Sequence, residues 1–130
     1  MAKRVTGIGG IFFKANDPVK LGEWYVKHLN IELEGDSPSS IFRWRQADNP
    51  ERGGATVWSL FPRSSDYFGS DEAQFMINYR VENLGAVLEA LKKEGVEIIR
   101  EAQDTPYGSF AAIKDPEGNG IELWQPPDGY

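Results

Sequence analysis

The chain is 130 residues long, contains no cysteine and has a formal net charge of −6 at pH 7. This length suits one domain or two small fused halves. Without cysteine, the sequence excludes disulfides, thiolate metal sites and cysteine nucleophiles. The acidic balance, with a sequence pI of about 4.8, argues against nucleic acid as a partner, because phosphate contacts need clustered Lys and Arg.

Hydrophobic residues make up 40% of the chain and charged residues 26%, which is ordinary for a globular protein. No apolar run approaches the roughly 20 residues of a membrane helix, and the N-terminal sequence lacks the apolar stretch of a signal peptide. We therefore expect no membrane partner and a cytoplasmic location. Four Trp, five Tyr and seven Phe are many for this length and predict a large core or an aromatic-lined pocket.

The first half of the chain predicts one strand, one helix and three short strands. Residues 5–15 are rich in β-formers and predict a strand. Asp17 is a favourable N-cap, and Pro18 suits the first position of a helix. Three further strands, separated by turn residues, are predicted at 31–34, 40–46 and 55–61.

The same order then restarts. The polar residues 63–72 are interpreted as a linker, followed by a strand at 73–81 and a second helix from the N-cap Asn83 to Gly95. The apolar residues at helical spacing, predicted to be buried together against Ile77 or Tyr79, are Leu84, Val87, Leu88 and Leu91. Further strands are predicted at 96–100, 110–114 and 121–125. The offset of about 65 residues between the two helix starts indicates an internal repeat of two βαβββ modules, 1–62 and 73–130.

The last predicted hairpin combines turn chemistry with an unusual strand. Asp115-Pro116-Glu117-Gly118-Asn119 favours a tight turn. In the strand that follows, Glu122 and Trp124 point to one face. A carboxylate beside an indole either lines a cavity or belongs to an edge strand with a solvated Glu.

The Asp-Pro-Glu-Gly-Asn turn followed by Ile121-Glu122-Leu123-Trp124 resembles the last hairpin of the vicinal oxygen chelate superfamily. That superfamily includes glyoxalase I, the extradiol dioxygenases and the fosfomycin and bleomycin resistance proteins. The repeat supports the resemblance over nearly the whole chain. The resemblance implies an α+β fold, in which two βαβββ modules with curved sheets enclose a shared cavity, and a homodimer.

Strand alternation assigns side chains to that cavity. The predicted ligand-binding residues are Phe12, Phe42, Trp44, Trp58, Asn78, Arg80 and Trp124, with Thr56 as a further wall residue and Lys14 near the rim. The three tryptophans of this set are expected to surround one cavity, and Arg80 or Asn78 to orient the polar end of a ligand. The alternative is that these rings simply fill the core. An error of one residue in register would move every assignment in a strand to the other face.

The resemblance implies a divalent metal held by four side chains. Their positions fall at Gly10, at Met76, near Thr56 to Trp58 and at Glu122, and only Glu122 offers a suitable donor. We therefore expect no metal and no other cofactor. The lone His28 lies on the first helix, away from the predicted cavity walls.

Three functions remain open on these residues. The first hypothesis is a metal-independent protein that binds a small apolar or aromatic ligand. Its nearest model is the bleomycin resistance proteins, which sequester a drug without chemistry. The second is a metal-dependent lyase or dioxygenase of glyoxalase type. The third is a metal-free isomerase or lyase in which Glu122 is the catalytic base, its pKa raised by apolar surroundings.

Overall fold

The computed structural model describes residues 3–130 as an α+β fold with one curved, unclosed sheet of seven strands and two helices. The elements are β1 (Val5–Ala15), α1 (Pro18–Leu29), β2 (Ser39–Arg45), β3 (Gly53–Pro62), β4 (Phe75–Val81), α2 (Leu84–Lys93), β5 (Glu97–Thr105), β6 (Gly108–Lys114) and β7 (Gly120–Gln125). The strand order is β2-β3-β1-β4-β7-β6-β5. The antiparallel pair β1–β4 lies at the centre and joins the two halves in one sheet.

Both helices begin where their capping residues predict. The side chain of Asp17 accepts a hydrogen bond from the backbone N of Lys20 at 3.1 Å, ahead of Pro18 at the start of α1. The side chain of Asn83 accepts one from the backbone N of Ala86 at 3.0 Å at the start of α2. These bonds satisfy N–H groups that a helix leaves unpaired in its first turn. Within residues 3–130, no helix is long and apolar enough to cross a membrane.

The apolar face of α2 packs on the second half of the sheet. Leu84 and Leu88 are buried, while Val87 and Leu91 are partly buried beside them. Tyr79 packs against the same cluster, which confirms the predicted burial of this face. The sheet residues buried under it are Val81, Ala111, Ile113 and Leu123.

The predicted strand at 31–34 is wrong, because this segment forms no ladder with a neighbouring strand. It lies beside the start of β2 through isolated hydrogen bonds: Glu34 N donates to Ser39 O at 2.8 Å, and Ser40 Oγ donates to Glu32 O at 2.6 Å. In the described chain the first half therefore has three strands, where the repeat predicted four. The second half has the predicted four.

Candidate functional site

A cavity of about 340 Å³ lies against strands of both halves of the sheet. Its aromatic lining residues are Phe12, Phe61, Tyr67, Phe110 and Trp124. Its polar lining side chains are Ser39, Ser59, Asn78 and Glu122. A mostly apolar cavity with a few polar groups is typical of small-molecule sites. Of the predicted site residues, the structure brings Phe12, Asn78, Glu122 and Trp124 together here.

The strand register explains which side chains line the cavity. Residues directly opposite each other on paired strands share a face of the sheet. In the β1–β3 pair, Gly10 lies opposite Val57 and Phe12 lies opposite Ser59. In the β4–β7 pair, Asn78 lies opposite Glu122. One face of β1, β3, β4 and β7 therefore lines the cavity.

Glu122 is the buried carboxylate of this cavity, with 2% of its surface exposed. Its Oε1 accepts a hydrogen bond from Asn78 Nδ2 at 2.6 Å, and its Oε2 accepts one from the Tyr67 hydroxyl. Among residues 3–130 it forms no ion pair with a Lys or Arg side chain. Burial raises its pKa above the ordinary value, while the two hydrogen bonds and the positive charge of Arg100 act in the opposite direction. Burial is the largest of these effects, so protonation of Glu122 is easier than for a solvated Glu.

Tyr67 is held as a hydrogen-bond donor to Glu122. Burial raises the pKa of the Tyr67 hydroxyl, and the charge of Glu122 raises it further, so the phenol keeps its proton. The Arg100 guanidinium lies over the Tyr67 ring, 4.1 Å from its centroid. The ring of Phe61 stacks on Tyr67 with centroids 5.6 Å apart. These contacts fix the ring that carries the donor.

A second stacked pair forms another part of the wall. The rings of Phe110 and Trp124 are nearly parallel, with centroids 5.8 Å apart, and Trp124 Nε1 donates to the backbone O of Tyr107 at 2.8 Å. Gly9 gives this wall room. A Cβ at that position would lie 2.9 Å from the Trp124 ring and would overlap Asn78 Oδ1. The small residue is therefore required by the packing of the site.

The prediction that Trp44, Trp58 and Trp124 surround one cavity is wrong. Trp58 packs at ring-centroid distances of 5.6 Å from Phe13 and 4.9 Å from Tyr25 of α1. It lies on the opposite face because its neighbours in β3, Val57 and Ser59, face the cavity. Trp44 lies outside the cavity.

Phe42 and Thr56, also predicted as wall residues, do not line the cavity either. They lie opposite each other in the β2–β3 pair, on the face that Trp58 shares. Phe42 is 48% exposed. Thr56 Oγ1 accepts a hydrogen bond from Trp44 Nε1 at 2.8 Å and donates to Ile8 O at 2.7 Å. The predicted faces of β2 and β3 are therefore wrong by one residue, as for Trp58.

Arg80 is buried but does not line the cavity, contrary to its predicted role as an orienting group. Its guanidinium lies 5.1 Å from the ring centroid of Trp44 and 5.3 Å from that of Trp124. It donates to the backbone O of Ala55 at 3.0 Å and to that of Tyr130. Burial lowers the pKa of Arg80. Its interactions support the wall from outside the cavity.

Of two further residues whose positions were predicted, Lys14 lies elsewhere and His28 lies where expected. Lys14 is buried, with its Nζ 3.3 Å from the backbone O of Asp71 and 5.5 Å from the Phe68 ring centroid, so it is not a rim residue. His28 lies on α1 beside Trp24, away from the cavity. This is the position that the sequence predicts for His28.

Sequence reasoning missed several lining residues, above all Tyr67. It lies in the polar segment 63–72, whose composition predicts a linker, although Phe68 is fully buried in the cluster with Phe12 and Met76 and Tyr67 packs against that cluster. Two adjacent aromatic residues in a polar segment are a signal that could have found them. Val57 and Phe61 were missed because the parallel pairing of β1 and β3 is not evident from sequence.

The side chains near Glu122 do not fit a divalent metal. A Cβ at Gly10 would lie 2.7 Å from the Phe12 ring, so this position has no room for a donor. Met76 is buried with Phe12 and Phe68 and offers a thioether, a poor ligand for hard or borderline ions. In the described part of the chain, no three His, Cys, Asp or Glu side chains lie together as a metal group. Asn78 and Tyr67 direct an amide N–H and a phenol O–H at Glu122; these groups bind a carboxylate and are not metal ligands.

Comparisons with known proteins agree with this fold. A Bacillus subtilis (strain 168) protein, Uncharacterized protein YetH, is 23% identical over 113 residues, covering 86% of this chain and 92% of its own. Methylmalonyl-CoA epimerase from Mycobacterium tuberculosis superposes with a TM-score of 0.62 at 21% identity, covering 98% of this chain and 93% of that one. A variant of the Streptomyces coelicolor methylmalonyl-CoA epimerase in complex with 2-nitronate-propionyl-CoA gives a TM-score of 0.66 at 12% identity, covering 97% and 99%. At these identities the structures establish the fold alone.

The family is established by a match to its model. The Glyoxalase/Bleomycin resistance protein/Dioxygenase superfamily matches residues 7–123, and the chain belongs to that superfamily. The resemblance seen in the last hairpin is thereby confirmed.

Proposed function

We propose that the protein binds a small ligand with an apolar or aromatic body in the Glu122 cavity, without a metal ion. One observation carries the proposal: five aromatic side chains surround a buried carboxylate whose two oxygens are held by Asn78 and Tyr67. Asn78 and Tyr67 each donate one hydrogen bond to Glu122. The ligand donates a further one to the same carboxylate.

The cavity suits such a ligand in size and chemistry. Its volume of about 340 Å³ lies within the usual range of small-molecule pockets. Apolar area removed from water contributes roughly 25 cal/mol per Å², so the aromatic walls supply most of the affinity. Glu122, Ser39 and Ser59 give the ligand a defined orientation through hydrogen bonds.

Calorimetric titration with naphthol tests this proposal. Naphthol combines an aromatic body with one hydroxyl donor for Glu122, and we expect saturable binding to wild type. Ser59→Phe places a ring inside the cavity and should abolish the binding heat. Ser64→Phe makes the same change at an exposed residue and should leave it intact. Equal binding by both variants, or none by wild type, would contradict the proposal.

A second candidate function is a metal-free isomerase or lyase with Glu122 as base. The observation in its favour is the burial that raises the pKa of Glu122, since a base with a pKa nearer to neutrality accepts a proton more effectively. The Tyr67 hydroxyl donates its single O–H to Glu122 and so holds the base in position. The metal-dependent lyase or dioxygenase hypothesis receives no such support from the donors present.

Exchange in deuterated water separates the second candidate from simple binding. A base at Glu122 would exchange a carbon-bound proton of the bound ligand, and Glu122→Gln would abolish that exchange while affinity remained measurable. A ligand that binds without any exchange supports the binding function.

We also propose a homodimer, as the family resemblance implies. The unclosed sheet leaves β2 and β5 as edge strands, and edges with free backbone groups favour pairing. Sedimentation at micromolar concentration should give twice the chain mass of 14.6 kDa. A clean monomer would contradict this part of the proposal.

A further inference from the structure

We infer that the ligand of the Glu122 cavity is an organic cation, such as a quaternary ammonium or protonated amine attached to an apolar body. This inference rests on the proposed function and adds to it the charge of the ligand.

The charge of the cavity lining is unbalanced. Glu122 contributes a carboxylate, and no Lys, Arg or His side chain lines this space in residues 3–130. The cations of neighbouring elements lie outside this lining, although the charge of Arg100 acts to lower the pKa of Glu122. Arg100 lies over the Tyr67 ring, Lys14 contacts Asp71 and Phe68, and Arg80 lies between two indoles. Among residues 3–130 no Lys or Arg side chain forms an ion pair with Glu122, and a cationic ligand would supply that contact.

The walls also favour a positive charge. The faces of aromatic rings are negative, and a cation within about 6 Å of a ring centroid is attracted to them, more strongly when it is desolvated. Arg100 and Arg80 already lie at the rings of Tyr67 and Trp124, so the lining rings that remain for a ligand cation are Phe12, Phe61 and Phe110. The carboxylate and the rings therefore act in the same direction.

An anionic ligand would meet the opposite conditions. Its charge would lose hydration on entering an apolar cavity and would be repelled by Glu122, and among residues 3–130 no cation lines the cavity to compensate. A cation also loses hydration, which a neutral ligand of equal shape does not, and we expect its attraction to Glu122 and to the rings to exceed that cost.

The experiment uses two probes of nearly identical shape, phenyltrimethylammonium and tert-butylbenzene, which differ by a charged nitrogen in place of a carbon. Their affinities for wild type are measured by calorimetry at neutral pH. We expect the cation to bind at least about tenfold more tightly. In Glu122→Gln this preference should fall to a small remainder from the rings, whereas Glu117→Gln, which removes a carboxylate from the exposed turn, should retain it.

The outcomes separate this inference from the function on which it rests. If tert-butylbenzene binds as well as the cation or better, the inference is overturned and the binding function stands. If neither probe nor naphthol binds, both are overturned. The wild-type comparison alone decides the point if Glu122→Gln does not fold. A preference for the cation that survives unchanged in a folded Glu122→Gln would also overturn the role assigned to the carboxylate.

Discussion

Asn78 and Glu122 lie opposite each other on the parallel strands β4 and β7, and Asn78 Nδ2 donates a hydrogen bond to Glu122 Oε1 at 2.6 Å. The Tyr67 hydroxyl donates to the other carboxylate oxygen. A buried carboxylate has lost its hydration, and hydrogen bonds to its ionised form partly replace the lost water contacts. The protein thus holds Glu122 in one orientation with two neutral donors and leaves its remaining acceptor capacity toward the cavity.

The helix α2 should be an essential part of the core. Leu88→Ala removes a buried side chain from the cluster under α2, and should lower the free energy of unfolding by about 2–5 kcal/mol because a cavity remains. Glu89→Ala, at the exposed neighbouring position, is the control. Chemical denaturation measures both. A loss for Leu88→Ala within about 0.5 kcal/mol, as for a surface site, would contradict the packing described.

The pKa of Glu122 predicts a specific dependence of stability on pH. Its folded-state pKa is raised above the ordinary value of 4.5, so between these two values the folded protein holds a proton that the unfolded chain has released. Stability then falls as pH rises through this window. The free energy of unfolding of wild type minus that of Glu122→Gln should therefore decrease as pH rises from about 4.5 toward neutrality. A difference that increases with pH would show that the hydrogen bonds outweigh burial.

Tyr67→Phe should raise the pKa of Glu122 further. The substitution removes the hydroxyl that stabilises the ionised carboxylate and keeps the ring that packs on Phe61. Carboxyl NMR titration of wild type and variant measures the change. Tyr107→Phe, at an exposed position, should leave the titration of Glu122 as it is in wild type. An unchanged or lowered Glu122 pKa in Tyr67→Phe would show that the hydroxyl does not act on the carboxylate.

The sequence predicts the parts of this structure that depend on local chemistry. Asp17 and Asn83 cap their helices because their side chains bond to nearby backbone N–H groups. The helical spacing of Leu84 and Leu88 directly reflects the face that they bury. The alternating strand of the last hairpin left Glu122 either in a cavity wall or at a solvated edge, and the family resemblance favoured the cavity wall, where Glu122 lies in the structure.

The parts that the sequence does not predict depend on contacts between distant residues. Val57 faces the cavity and Trp58 does not, because β3 pairs in parallel with β1 at one particular register. A shift of one residue reverses every face in a strand. Tyr67 reaches Glu122 from 55 residues away along the chain. No local pattern specifies that contact.

The most direct test of metal-free binding is the affinity for naphthol before and after dialysis against EDTA, with the metal content of the same samples measured by elemental analysis. Tight metal sites need several protein ligands at about 2.0–2.6 Å, and within residues 3–130 no three His, Cys, Asp or Glu side chains lie together to supply them. We expect the same dissociation constant in both samples and a metal content far below one ion per chain. About one Zn, Ni, Mn or Fe per chain, with binding lost on its removal and restored on its return, would contradict the proposed function.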